Sequence, residues 1–226
     1  MRRRGFTLME MLFSMMITAL VALAASAICI TVAQDFDQAD VTQSVDLQAT
    51  LMTARLESIL RQCKEIGLVR AGSLDGSASQ PAAIMLWMND NTMPTGSMQL
   101  SEIGLIQHDP TTSHVYLYRA VFPSNMTALQ IALVNLTYAY SSICVSTAPE
   151  DFKALPYVTA QPIADNVTGF RVDAQNVATW PQKPTVDFAM TVFVAGKKDN
   201  NGTQQTPNKT ACQYGSVTLR APNQPS

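Results

Sequence analysis

Between Met11 and Gln34 the chain carries no charged residue. At ~1.5 Å of rise per residue, a helix of that length covers the ~30 Å hydrocarbon core of a bilayer. Arg2, Arg3 and Arg4 stand before the run and Asp35, Asp37 and Asp40 after it. Basic residues in front hold that end in the cytoplasm, so the chain beyond Gln34 is expected outside. No other stretch limits the architecture as strongly, because it divides the molecule into an anchor and an exported remainder.

One acidic residue, Glu10, sits at the front of the apolar run. A carboxylate within an apolar membrane helix costs roughly 2.5–3.5 kcal/mol on insertion scales, so such a group has a partner or a function. Cleavage between Gly5 and Phe6 would give Phe6 a cationic amine, four residues before Glu10 and on the same helical face. Glu10 would then neutralise that amine in its own chain or in a neighbouring one. The stretch RRRGFTLMEMLFSMMITAL resembles the class III leader of type IV pilins and type II secretion pseudopilins. That resemblance implies leader cleavage after Gly5, N-methylation of Phe6 and an assembly role for Glu10. It implies as partners a prepilin peptidase/methyltransferase, other pilin or pseudopilin subunits, an inner-membrane assembly platform and membrane lipid. The implied location is a bacterial inner membrane, N-terminus cytoplasmic, with the exported domain built into a fibre. Two plainer readings stand beside it. Ala25-Ser26-Ala27 has the small residues of a secretory cleavage site, and a simple signal anchor would carry Glu10 by accident.

Composition adds exclusions. The 226 residues carry a formal charge of −2. Setting aside Arg2, Arg3, Arg4 and Glu10 leaves 12 basic and 16 acidic residues, so the exported part is about −4. This gives no basic footprint for nucleic acid, and none is expected as a partner. Of the four cysteines, Cys29 lies in the membrane run, while Cys63, Cys144 and Cys212 allow at most one bridge among themselves. Their spacing matches no zinc site.

Beyond the anchor, Val41, Val45, Met52, Leu56, Ile59, Cys63 and Ile66 recur at helical spacing. Neither Gly nor Pro occurs between Phe6 and Ile66. One helix is therefore predicted from Phe6 to Ile66, bent near Gln34 to Asp40 if anywhere, with Gly67 as its C-cap. Ala27 stands where many major pilins have a proline. Ala71 to Pro81 reads as a loop, and Ile84 to Met88 as a buried strand. Asn91 to Glu102 has the outline of a calcium loop, with Gly96 sixth and Met98 eighth. Met93 and Thr95 occupy ligand positions, however, so a surface turn leading to Leu105-Ile106 is the expectation and no metal is assigned. Further strands are expected at His114 to Phe122, Val167 to Val172, Thr185 to Ala195 and Tyr214 to Ala221, with a polar loop from Lys197 to Thr210. Ala128 to Val145 begins like a helix and ends like a strand.

The predicted fold class is α+β, a long N-terminal helix packed on a C-terminal antiparallel sheet domain. The expected divisions are a leader (1–5), a transmembrane and filament-core helix (6–34), its amphipathic continuation (35–66) and the exported domain (67–226). IADNVTGFRV, Trp180, PTVDFAMTVFV and VTLRA resemble the larger J-type pseudopilins and W-type minor pilins. No nucleophile elbow, phosphate loop, dinucleotide fingerprint or zinc-protease helix occurs, so neither a catalytic residue nor a cofactor is assigned. His108 and His114 read as surface or strand positions and Trp87 and Trp180 as core anchors. The sequons at Asn125, Asn135, Asn166, Asn201 and Asn208 mark polar loops. A minor pilin or pseudopilin is the leading function. A pilus-tip binding module, or a secreted or anchored protein with a conventional signal, are the alternatives.

Overall fold

The computed structural model describes residues 7–75, 79–88, 98–175, 185–194 and 208–218. Helix α1 runs from Leu8 to Arg61, 54 residues or about 80 Å. Its first part, through Gln34, is exposed along its whole length, with Leu8, Met15, Leu20, Leu23 and Ile28 all presented outward. From Val45 onward the helix buries one stripe, Val45, Ala49, Met52, Leu56 and Leu60, at spacings of three and four.

The helix stops five residues before the predicted end. Gln62 and Cys63 donate to the carbonyls of Ile59 and Leu60 at 3.1 Å, the tighter i to i+3 pattern of a closing turn. Lys64 then donates to the Trp87 carbonyl at 2.7 Å, which delivers the chain to a sheet. Ile66 is buried as expected, but in strand β1 (Glu65–Arg70), opposite Leu86. Gly67 is no helix cap. It lies in β1, where an added Cβ would stand 2.6 Å from the Ile143 carbonyl oxygen, so the position needs glycine for close approach.

The remaining strands are β2 (Gly72–Ser73), β3 (Ala83–Trp87), β4 (Met98–Gln99), β5 (Ile103–Asp109), β6 (His114–Ala120), β7 (Thr137–Tyr138), β8 (Val158–Ala164), β9 (Val167–Gln175), β10 (Thr185–Val194) and β11 (Lys209–Thr218). Two short helices join them, α2 (Ala128–Val134) and α3 (Ala148–Lys153). Among the described residues the strands form a five-stranded sheet, β1-β3-β5-β6-β8, and a four-stranded sheet, β11-β10-β9-β2, with β4 and β7 paired separately. β1–β3, β3–β5, β5–β6, β6–β8, β9–β10, β2–β9 and β4–β7 all pair antiparallel. The fold is α+β, a long apolar N-terminal helix followed by antiparallel sheets.

One core gathers the α1 stripe with Ile84, Leu86, Ile106 and Leu117 of the first sheet and Phe170, Phe188, Met190 and Val217 of the second. A second core lies on the opposite face of the five-stranded sheet. There Met85, Trp87, Ile103 and Leu105 meet Met98, Leu100, Ile143 and Phe152. Strand β3 feeds both, which is why all five of its residues are buried and why its sequence reads as a continuous apolar run.

Several expectations need correction. Of the turn expected from Asn91 to Glu102 the described end is β4 and a 3-10 turn, Leu100–Glu102, whose Leu100 and Glu102 are buried rather than on the surface; it leads into β5 at Ile103. Glu102, the twelfth position of the suspected calcium loop, is buried and accepts a hydrogen bond from the Gln99 amide at 3.0 Å. It caps the 3-10 turn Leu100–Glu102. Asn91, Met93, Thr95 and Gly96 lie outside the described residues, as do Trp180 and most of the predicted loop from Lys197 to Thr210. Strand β8 (Val158–Ala164) stands where no strand was expected. The closing strand starts at Lys209, before the predicted Tyr214.

Candidate functional site: the start of the long helix

Gly5 and Phe6 lie outside the described residues. Glu10 is the third residue of α1 and is exposed. Its Oε2 accepts two hydrogen bonds from Thr7, from the backbone amide at 2.9 Å and from Oγ1 at 3.0 Å. In return Glu10 donates its own amide to Thr7 Oγ1 at 3.3 Å. Glu10 and Met11 also donate their amides to the Thr7 carbonyl, at 3.0 and 3.2 Å. This is a reciprocal capping box, Thr7 at the N-cap and Glu10 at the third helical position. The carboxylate also faces the positive end of the helix dipole.

Thr7 is the residue that sequence reasoning passed over. The signal was present, since Thr-x-x-Glu before an apolar run is itself the capping-box pattern. Attention to the charge alone sought a partner for Glu10 in an amine and missed the one three residues away. The box uses Oε2, while Oε1 accepts no hydrogen bond among the described residues. A cation donor could therefore approach Oε1 without displacing Thr7.

Elsewhere the polar residues serve packing. His108 is buried, and its Nε2 donates to the Val167 carbonyl at 2.8 Å beside the edge of Phe170, tying the two sheets together. His114 starts β6, with Nε2 3.3 Å from Asp165 Oδ1. The two histidines share no site. Asn135 donates to Gln99 Oε1 and Ser101 Oγ at 2.7 and 3.1 Å and accepts from the Ser101 amide, which fixes α2 to the turn at Leu100. Arg70 and Lys153 converge on Glu150 at 3.8 and 2.5 Å. The hydrogen bond from Lys153 is the main reason the Glu150 carboxyl is held below its ordinary range, with those from Gln107 and the charge of Arg70 assisting. Trp87 is buried in the second core as expected, with the Lys64 ammonium 3.9 Å from its ring centroid. No disulfide links any of the four cysteines. Burial pushes the Cys63 thiol up to about 12. Among the described residues no three His, Cys, Asp or Glu side chains come together as metal ligands. A trough of about 490 Å³ on the outer face of β9 to β11 is lined by Arg171, Asp173, Asp187, Tyr214 and Ser216.

The chain matches the family model of the prokaryotic N-terminal methylation motif over residues 1–26. It therefore carries a type IV pilin-like prepilin motif, and the match supports a type IV pilin-like precursor of the kind that prepilin peptidase processes and that assembles with other pilins. Proteins with this motif are structural subunits. The described part of α1 is long and apolar enough to cross a membrane and begins near the N-terminus, which fits a membrane-anchored pilin. No curated protein matches the chain, and no solved structure does.

Proposed function

We propose that the chain is a minor pilin or pseudopilin, a non-catalytic subunit of a type IV pilus or type II secretion pseudopilus. The observation that carries this reading is the methylation motif running directly into an exposed apolar helix whose third residue is Glu10. Residues 1–5 are the leader. A peptidase at the cytoplasmic membrane face cuts after Gly5, where a side chain would block access to the scissile bond. The new Phe6 amine is methylated, and residues 6–34 form the membrane and filament-core segment. Glu10 then has two tasks on two oxygens. Oε2 caps its own helix through Thr7, and Oε1 receives a neighbouring subunit's N-terminal amine. In hydrocarbon an unmatched charge costs several kcal/mol, so the pair sets the axial offset at which a subunit joins.

N-terminal mass analysis of the mature protein tests the processing steps. The expected chain begins at Phe6 and carries one added methyl, and Gly5→Val retains the arginines and stays in the inner membrane. A mature chain beginning at Ile28 would overturn this reading in favour of a secretory signal cut after Ala25-Ser26-Ala27.

A further inference from the structure

Sheet edges expose unpaired backbone groups, and proteins defend them with prolines, bulges, charges or brevity. Among the described residues, three of the four edge strands of the two larger sheets are defended. β8 contains Pro162, and its pairing with β6 is irregular between Val115 and Tyr116. β1 is bulged between Ile66 and Val69. β2 is two residues long. The fourth edge is β11, ten residues without proline. Its one charge, Lys209, stands at the first position, and Thr210 through Thr218 is uncharged. Among the described residues no strand pairs with its outer side.

The inner row of β11 is also unfinished. On neighbouring β10 the inward residues Val186, Phe188, Met190 and Val192 are at most 3% exposed. On β11 Ala211, Gln213 and Gly215 are only half-buried, and Val217 alone is covered. One more strand alongside would cover the other three.

We propose that β11 is the surface through which two copies of this chain join, edge to edge and antiparallel, merging their four-stranded sheets. The occupant is a second β11 because the strand is complementary to itself. Opposed residues in an antiparallel pair point to the same face, and centring the pair on Tyr214 overlaps residues 210–218 in full. Thr210 then faces the partner's Thr218 and Cys212 faces Ser216, all on the exposed row, and Tyr214 faces Tyr214. On the inner row Ala211 faces Val217, and Gln213 faces Gly215, over which the Phe188 ring already lies. Thr–Thr and aromatic cross-strand pairs are stabilising, and no like charges meet. This inference stands on the sheet edge alone and does not depend on the prepilin reading.

The test uses the full chain in its membrane, with Cys29→Ser, Cys144→Ser and Cys212→Ser to remove the exposed thiols. Tyr214→Cys in that background should form a disulfide-linked dimer under mild oxidant, since opposed Cβ atoms lie within bridging distance. Thr159→Cys, exposed on the proline-bearing edge of β8, serves as the collision control and should stay monomeric. Adding Thr210→Lys with Thr218→Lys sets like charges opposite each other at both ends, and the linked fraction should fall roughly ten-fold. Thr210→Lys with Thr218→Asp should restore it. Equal linkage at Tyr214→Cys and Thr159→Cys overturns the proposal. So does linkage that ignores the charge pattern, because both double variants alter the same two exposed positions and differ only in the sign of one charge.

Discussion

Glu10 caps its own helix through Thr7, and in the proposed function it also meets a neighbouring subunit's amine; three substitutions separate the two roles. Glu10→Gln keeps an amide oxygen for Thr7, since Gln serves at the third position of a capping box as Glu does, and deletes only the charge. Glu10→Ala deletes both. Thr7→Val keeps the charge and removes the hydroxyl that both donates to Oε2 and accepts from the Glu10 amide. Loss of a cap costs about 1 kcal/mol, roughly five-fold in an equilibrium. Leaving a neighbour's amine unmatched in hydrocarbon costs roughly 2.5–3.5 kcal/mol, about a hundred-fold. Incorporation into sheared fibres, measured against the membrane pool by quantitative immunoblotting, should therefore fall about five-fold for Thr7→Val and about a hundred-fold for Glu10→Gln. Glu10→Ala should fall at least as far as Glu10→Gln. Cleavage after Gly5, read by N-terminal mass, should persist in all three, and methylation of Phe6 should drop in the two Glu10 variants. Normal incorporation of Glu10→Gln alongside weakened Glu10→Ala would refute the pairing role and leave Glu10 as a cap.

Other parts of the molecule give further outcomes. Leu56 and Leu60 are almost fully buried under the sheets, so either one changed to Ala should destabilise the folded chain by about 2–5 kcal/mol, read as a lower thermal midpoint. Cys63, with its thiol raised to about 12 by burial, should resist maleimide at pH 8 while exposed Cys212 reacts, which peptide mass mapping resolves. The depressed Glu150 carboxyl adds stability that is full above the ordinary carboxylate range and lost as pH falls through its lower folded value. Wild type should therefore exceed Glu150→Gln in stability at pH 7, with the gap closing in acid, modestly because the side chain is 55% exposed. Gly67→Ala should lower the thermal midpoint, because its Cβ would press on the Ile143 carbonyl oxygen at 2.6 Å.

The sequence carries its signals unevenly. The α1 stripe from Val45 to Cys63 was readable because a half-buried helix must repeat at 3.6 residues. Ile66 misled because its side chain enters the same core from a strand that it would have entered from another helical turn. Strand β3 announced itself by being apolar on both faces. Strand β8 did not, since its exposed centre and Pro162 lack alternation. The division into two sheets was invisible for a related reason. β8 and β9 are separated only by Asp165 and Asn166, the latter at φ 58°, and nothing in IADNVTGFRV says that the chain changes sheets there. Gly5, Phe6, Thr7 and Glu10 were legible as a motif at fixed spacing, whereas the capping role of Thr7 went unread although its Thr-x-x-Glu pattern stood in the sequence.

The first core has a consequence for timing. Its members run from Ala49 in α1 to Val217 near the far end of the chain. A polypeptide made and delivered from its N-terminus presents the α1 stripe long before β9, β10 and β11 arrive to cover it. Met52, Leu56 and Leu60 can meet Ile84, Leu86, Ile106 and Leu117 of the first sheet by mid-synthesis, but their full cover waits for the second sheet. Such a domain depends on contacts distant in the chain and completes itself late. A truncation that removes only β11 should leave a chain that begins correctly and never seals, fit for proteolysis rather than assembly.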